Sequence, residues 1–442
     1  MKYYCIGIKG TGMSTLAQIL HDLGNEVSGY DDASGFKFTQ VGLEERGIPI
    51  YYDGEHELDK DTIVTYSVAF HEDHREIQRV KQLGLKIVKY NELMGQVISM
   101  FQSIGVSGTH GKTTTSSLIR HILDACGGCN YFIGAGDGYA SLNYDYFVVE
   151  SDEFNRHFTA YHPKYSVITN IEEEHMECYE DIDDIRNTFD IFANQTEKLV
   201  VANGDNTEVK KINYKTRVLF YGFGFQNDAI IKNLKLSEEG SRFDLFIRDE
   251  LYGSFEAPLY GKHMVMDVCA AILICRELGI EKEVIYEAIK TFKNAKRRFA
   301  IEKVGPTTIL DDYAHHPTEI KATLEAVRQK YPEKRIVVVF KPNTYSRTKD
   351  FTEEFIDALS VADRVFLTEI DSNREKQEDY PGVSSQMIID GIEGAELIDE
   401  EHIDKLGNEL NSVICFMSCA YVDGLINKLK EFIANAIPKE EV

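Results

Sequence analysis

Ser107-Gly108-Thr109-His110-Gly111-Lys112-Thr113 is a glycine-rich run that ends in a lysine and a threonine. The short run Gln102–Val106 leads into it, and Thr114, Thr115 and an apolar-periodic segment follow. The spacing therefore predicts a strand, a glycine-rich turn and a helix. Such a turn presents backbone N–H groups to a phosphate, and the positive end of the helix adds to the attraction. In that arrangement Lys112 reaches the outer phosphates of a nucleotide and the Thr113 hydroxyl joins a magnesium shell. The strict phosphate-loop pattern begins with a glycine where this chain has Val106, so the bare pattern is a near miss. Its context supplies the rest, because an ordinary strand-to-helix turn requires neither the lysine nor the threonine.

Outward from the loop, strand–turn–helix patterns start afresh three times, which predicts three α/β domains with mostly parallel sheets. The first, over residues 1–98, opens with Lys2–Ile8, glycines and an amphipathic helix through His21, then a strand at Glu26–Tyr30. It is expected to be Rossmann-like. The second, over 99–299, carries the phosphate loop and strand-like runs at Tyr146–Val149, Ser166–Thr169 and Leu199–Ala202. Its residues 217–256 alternate over short segments and read as an antiparallel insertion, followed by a helix from near His263 to about Leu278. The third, over 300–442, is again Rossmann-like, with strands at Thr308–Leu310, Arg335–Phe340, Arg364–Thr368 and Val413–Met417. Alternation of this kind places functional residues at the carboxyl ends of strands.

A chain of 442 residues exceeds what one core usually serves, in keeping with that division. The formal charge of −25 argues against a nucleic acid or an anionic membrane as partner, since both need a basic face. No run approaches the roughly 18 apolar residues that span a bilayer, and the start lacks a secretory pattern. A cytoplasmic protein is expected. Cys126-Gly127-Gly128-Cys129 lacks the second pair of a zinc site, so a turn after the loop's helix is the plainer reading.

With these motifs in place, the chain resembles the Mur ligases over nearly its whole length. The Gly-Thr-x-Gly-Lys-Thr loop is that family's mark, and His110 at the variable position resembles the branch that adds L-alanine to UDP-N-acetylmuramic acid. The other motifs follow in family order: Gly7–Ser14, Glu150-Ser151-Asp152-Glu153, Thr169–Met176, Arg297-Arg298-Phe299, Asp311–Glu319 and Tyr345-Ser346-Arg347. The resemblance implies an ATP- and magnesium-dependent ligase of peptidoglycan-precursor synthesis. Its partners would be UDP-N-acetylmuramic acid and an amino acid, L-alanine expected, joined through an acyl phosphate.

It also implies roles. ATP falls to Gly108, Thr109, His110, Gly111, Lys112, Thr113 and Thr114, with His263 and Asp267 nearby. Magnesium falls to Thr113, Glu150 and His175. Gly10, Thr11, Gly12, Met13, Ser14 and Asp31 take the UDP-sugar. Lys112, Glu150, His175, Arg298 and Asp312 serve the reaction, while His315 and Arg347 meet the amino acid or sugar carboxylate. For the first glycines, a dinucleotide site is the alternative, because Asp31 and Asp32 stand where a ribose-binding acid would. Gly10-x-Gly12 lacks that fingerprint's third glycine, position 15 being Thr. An NAD-dependent oxidoreductase would also leave the phosphate loop unexplained.

Three departures from the family stand out. The asparagines of the helix after Gly261 are replaced by Met264 and Asp267, and an ionised Asp accepts but cannot donate. A family histidine and arginine give way to Asn343 and Thr344. A tight late turn becomes Ser418-Cys419-Ala420-Tyr421. These bear on nucleotide and amino-acid recognition. They keep open a relative with a different acceptor, and a weakly active one that binds UDP-sugar.

Overall fold

The structure, a computed structural model, describes residues 1–134, 136–372 and 375–436. Residues 437–442 of the expected third domain lie outside the described residues. The fold is a three-domain α/β arrangement built on three mostly parallel sheets. The first sheet comprises β1 (Lys2–Ile6), β2 (Glu26–Tyr30), β3 (Ile50–Tyr51), β4 (Ile63–Tyr66) and β5 (Lys86–Ile87). Its order is β3-β2-β1-β4-β5, and every pairing is parallel. The helix α1 (Thr11–Asp22) follows the glycine turn after β1.

The second sheet contains β6 (Gln102–Ser107), β7 (Asn130–Ile133), β8 (Asp137–Tyr139), β9 (Tyr146–Glu150) and β10 (Tyr165–Ile168). It continues with β11 (Leu199–Asn203), β12 (Val218–Gly222), β13 (Ala229–Ser237), β14 (Gly240–Ile247) and β15 (Glu250–Ala257). The order is β15-β14-β13-β12-β11-β10-β6-β9-β7-β8. The helices α2 (Lys112–Asp124), α3 (Ile182–Gln195) and α4 (Lys262–Glu277) accompany it. The third sheet has β16 (Ala300–Val304), β17 (Thr307–Asp312), β18 (Ile336–Phe340), β19 (Arg364–Leu367), β20 (Glu396–Leu397) and β21 (Val413–Met417). Its order is β16-β17-β21-β18-β19-β20, with α5 (Pro317–Lys330) after β17.

The stretch 217–256 is not antiparallel from its start: β12 pairs parallel to β11, and Tyr221 and Gly222 pair parallel to Ala229 and Ile230 of β13. Only β13 to β15, joined by two-residue links, form hairpins, since a link that short permits only antiparallel neighbours. The edge strand β16, antiparallel to β17, also went unread, because Ala300–Val304 is largely exposed and lacks a buried-strand pattern.

By packing, the described chain divides into two compact units. The first holds Met1–Asn233, Phe243–Phe255 and Met266–Phe292, and the second holds Leu234–Arg242, Glu256–Val265 and the chain from Lys293 onward. In the first unit the first two sheets share a core, in which Met13, Leu16 and Ile19 of α1 join Phe147, Phe158, Phe189 and Phe192. Gly138 makes this approach possible, because a Cβ there would overlap the Thr15 side chain. In the second unit β18 alternates: Ile336, Val338 and Phe340 serve one core, and Val337 and Val339 the other. A strand covered on both faces reads as continuous apolar sequence, which is why Arg335–Phe340 was legible. No helix among the described residues is long and apolar enough to cross a membrane.

A buried carboxylate ties the helix Arg75–Gln82 to β1. Glu76, 2% exposed, accepts from the Tyr4 hydroxyl at 2.7 Å and from Arg79 Nη2 at 2.7 Å. Burial opposes its ionisation, but the Arg79 and Tyr4 hydrogen bonds overcome this and hold the carboxyl below its ordinary value. Its stabilising effect is thus full above the ordinary carboxylate range and lost as pH falls through its lowered pKa. Glu76→Ala is expected to cost about 3–5 kcal/mol. The measurement is the midpoint of urea denaturation, followed at neutral pH.

Candidate active site

The central strands β10, β6 and β9 are neighbours and parallel, so their carboxyl ends face the same way. The register pairs Ser107 with Ile168 and Val106 with Glu150. Three following segments are thereby gathered: the loop 107–113, the acids 150–153 and the run 169–176.

The loop conformation is dictated at its glycines. Gly108 has φ 139°, and a Cβ there would overlap Thr169 Oγ1. Gly111, at φ 83°, caps α2 in the left-handed region, and its Cβ would come within 2.6 Å of Asp267 Oδ1. Asn170 clasps the loop from the other side. Its backbone carbonyl accepts from Thr109 N at 3.1 Å, its Oδ1 accepts from His110 N at 2.8 Å, and its Nδ2 donates to His110 O at 3.0 Å. Thr169 Oγ1 donates to the same carbonyl at 2.5 Å, and Thr109 Oγ1 accepts from Glu172 N at 2.9 Å. The loop is held before any ligand arrives.

Lys112 Nζ donates to the carbonyls of Gly108 at 2.7 Å and Thr109 at 3.2 Å, and to both Glu153 oxygens at 3.0 and 2.9 Å. Burial alone would lower the ammonium's pKa, but Glu153, Asp152 and Glu150 more than reverse this and raise it. Glu153, 2% exposed, is also raised, because its burial outweighs the pairing with Lys112.

Thr113 Oγ1 donates to Glu150 Oε1 at 3.1 Å, and the other Glu150 oxygen accepts from Gly134 N at 2.8 Å. The ligand atoms of Asp152, Glu153 and His175 lie within 4.8 Å of one another. His175 sits at φ 57°, a strained conformation for a non-glycine residue that is often met at functional sites. Burial disfavours its charged form, yet Glu177, Glu153, Glu174 and Asp152 outweigh burial and raise its pKa. Two donor groups result, Thr113 with Glu150 and His175 with Asp152 and Glu153, and oxygen-rich sets of this kind fit a hard divalent cation such as magnesium.

Of the residues expected at the nucleotide, 108–114 form one continuous loop and helix start, with the Thr114 side chain buried in α2. Asp267 lies against Gly111, whereas His263 belongs to the second unit, beside Gly261. Glu153, Asp152, Thr169 and Asn170 also belong to the site, although the sequence pattern assigns them no role. The signal was their place directly after two strand ends.

At the N-terminal turn, α1 starts at Thr11 after the N-cap Gly10, with no side-chain cap and no acid in its first turn. Met13 and Ser14 are buried, and Ser14 Oγ donates to Thr11 O at 3.2 Å. Main-chain N–H groups, rather than these side chains, are what the turn offers. Asp31 Oδ2 accepts from Lys9 N at 2.9 Å.

In the second unit, Asp312 is 5% exposed and accepts from Phe299 N at 2.7 Å and Ala314 N at 2.8 Å. Burial raises its carboxyl against the opposing pull of Arg298 and those two N–H groups. Arg298 lies 4.6 Å from the Tyr313 ring centroid, flanked by Arg297 and Phe299 at positive φ. His316 caps α5 in a capping box with Glu319, while His315 Nδ1 is 3.1 Å from Glu319 Oε2. Arg347 Nη1 donates to Asn343 Oδ1 at 2.9 Å, so the residue that departs from the family pattern anchors the arginine.

Fold and loop together define an α/β nucleotide-binding enzyme with a phosphate loop at the carboxyl ends of a parallel sheet. Comparison with known proteins narrows the class. Residues 2–102 match the model of the Mur ligase family catalytic domain, 106–275 the Mur ligase middle domain, and 297–413 the Mur ligase glutamate ligase domain. The structure is similar to UDP-N-acetylmuramate–alanine ligase of Thermotoga maritima, with TM-score 0.80 and 24% identity over 98% of this chain and 99% of that one. It is similar to a murein peptide ligase of Psychrobacter arcticus at TM-score 0.69, with 19% identity and 99% of each chain covered. A third likeness is the MurF ligase of Thermotoga maritima in complex with ADP, at TM-score 0.67 and 16% identity over 96% of this chain and 99% of that one. The chain belongs to the Mur ligase family. It carries that family's catalytic, middle and glutamate ligase domains in order.

Asn170→Ala removes two of the hydrogen bonds that fix His110 in the loop. It is expected to weaken ADP binding by at least about tenfold, measured by titration calorimetry, with the circular dichroism spectrum unchanged.

Proposed function

We propose that the chain joins L-alanine to the carboxylate of UDP-N-acetylmuramic acid, with ATP and magnesium, through an acyl phosphate. The observation that carries this reading is the clustering of Lys112 with Glu150, Asp152 and Glu153 at a preformed phosphate loop. The full-length likeness to an alanine-adding ligase supports the choice of acceptor. The chain would act in the cytoplasm, where the nucleotide substrates are made.

A carboxylate is a poor electrophile, so its oxygen first attacks the γ-phosphorus of ATP and ADP departs. The amine then attacks the acyl carbon, loses a proton, and inorganic phosphate leaves with the former carboxylate oxygen. Little covalent chemistry falls to the protein, whose work is positioning and charge neutralisation. Main-chain N–H groups of 111–113 cradle the phosphates, while those of Thr109 and His110 stay with Asn170, and Lys112 exchanges Glu153 for phosphate oxygen. Thr113, Glu150 and His175 would hold magnesium, which neutralises phosphate charge when bound. By family resemblance, Arg298 would serve the transferred group, and His315 and Arg347 the carboxylates of the amino acid or the sugar. Gly10, Thr11 and Gly12 offer N–H groups to the UDP diphosphate.

A different acceptor is the second reading, and the Asn343–Arg347 contact favours it, because that side of the site departs from the family pattern. Phosphate release from ATP with UDP-N-acetylmuramate and a panel of amino acids tests both. The rate should be greatest with L-alanine and fall at least a hundredfold in Lys112→Ala, in line with losing a preorganised charge. A maximum with another amine supports the second reading, and no release with any amine contradicts both.

A further inference from the structure

Lys9 is the one lysine or arginine that is fully buried among the described residues, at 1% exposure. Its ammonium donates to the carbonyls of Ala33 and Gly35, both at 2.6 Å, and sits 5.2 Å from the Tyr52 ring centroid. Its N–H donates to Asp31 and its carbonyl accepts from Thr39 Oγ1 at 2.6 Å. A single residue thus ties the loop 31–39 to the glycine turn at four points.

The two carbonyls accept two of the ammonium's three N–H groups, and its charge has no carboxylate partner. No carboxylate lies within ion-pair distance of Lys9 Nζ among the described residues. Asp31 instead serves the Lys9 and Ala33 N–H groups and stands 3.8 Å from Lys37 Nζ. Buried charges ordinarily have a counter-charge, because carbonyl dipoles and an aromatic face replace water only in part. Here Lys9 immediately precedes Gly10, the N-cap of α1, whose first turn has neither a side-chain cap nor an acid. The residue that carries the buried ammonium therefore adjoins a positive helix end in a chain of net charge −25.

We propose that Lys9 is a specificity-determining residue of the nucleotide-sugar site, matching its charge to a diphosphate while holding the 31–39 loop in place. The proposal rests on the reading that a uridine diphosphate sugar occupies this turn. It predicts that the contribution of Lys9 grows with the charge of the ligand, whereas a purely structural staple would affect all ligands alike. Lys9→Gln keeps an amide donor for the loop carbonyls and removes the charge.

The experiment is titration calorimetry of the full chain with uridine, UMP and UDP, and with ADP for the separate phosphate loop. Wild type should bind UDP more tightly than UMP and UMP more tightly than uridine. In Lys9→Gln the UDP affinity should fall about thirtyfold, as expected for one nearby charge at an intermediate dielectric, with uridine changed less than threefold and ADP unchanged. An equal loss for all three uridine ligands overturns the charge role. So does a wild type that binds UDP no more tightly than uridine, a result that needs no variant. Wild type that binds ADP but none of the uridine ligands overturns the underlying nucleotide-sugar reading instead.

Discussion

The Lys112 ammonium is buried against two loop carbonyls and the Glu153 carboxylate, with Asp152 and Glu150 close enough to raise its pKa. Every other feature of the central site is arranged around keeping that charge in place. Asn170 and Thr169 hold the loop that presents it, and Gly108 and Gly111 make room for their contacts. Glu153 holds Lys112 against the loop, so under the proposed function a nucleotide would meet a lysine already aimed into the loop rather than one free to point to solvent. The cost of organising the charge is met in folding, which is where preorganised catalysis draws its advantage.

That arrangement depends in turn on the sheet. Because β10, β6 and β9 are parallel neighbours, three segments distant in sequence end side by side. The N-terminal turn belongs to the same compact unit and shares its core through α1, so the packing of Gly138 against Thr15 is part of how this unit is held together. The second unit builds its own buried carboxylate, Asp312, from main-chain N–H groups and the adjacent Arg298. In both units a carboxylate is fixed beside a cation by the ends of strands.

Much of this was legible in the sequence where the signal is local. The strand–loop–helix around Gly108–Thr113, the continuous apolar strand before Lys341, and Pro317 at the start of α5 all depend on neighbours along the chain. What escaped depends on partners far away. Nothing within a few residues of Glu153 reveals that it meets Lys112 rather than solvent, and Asn170 looks like any polar strand end until its loop contacts are seen. The parallel pairing of β12 was missed because its alternation resembles that of the hairpins that follow it. Met13 and Ser14 sit in the turn's motif, yet the helical period turns both inward. Lys9 is the plainest case, since a lysine among glycines reads as exposed and is instead enclosed by its own loop.

The same geometry gives the proposed reaction a definite chemical signature. A site that neutralises phosphate charge and supplies no covalent nucleophile should transfer phosphoryl directly to the substrate carboxylate. The most direct measurement is the fate of oxygen-18 placed in the carboxylate of UDP-N-acetylmuramic acid during a turnover with ATP and L-alanine. One labelled oxygen is expected in each phosphate released. Phosphate free of label, formed alongside amide product, would contradict activation of that carboxylate by the phosphate-loop site.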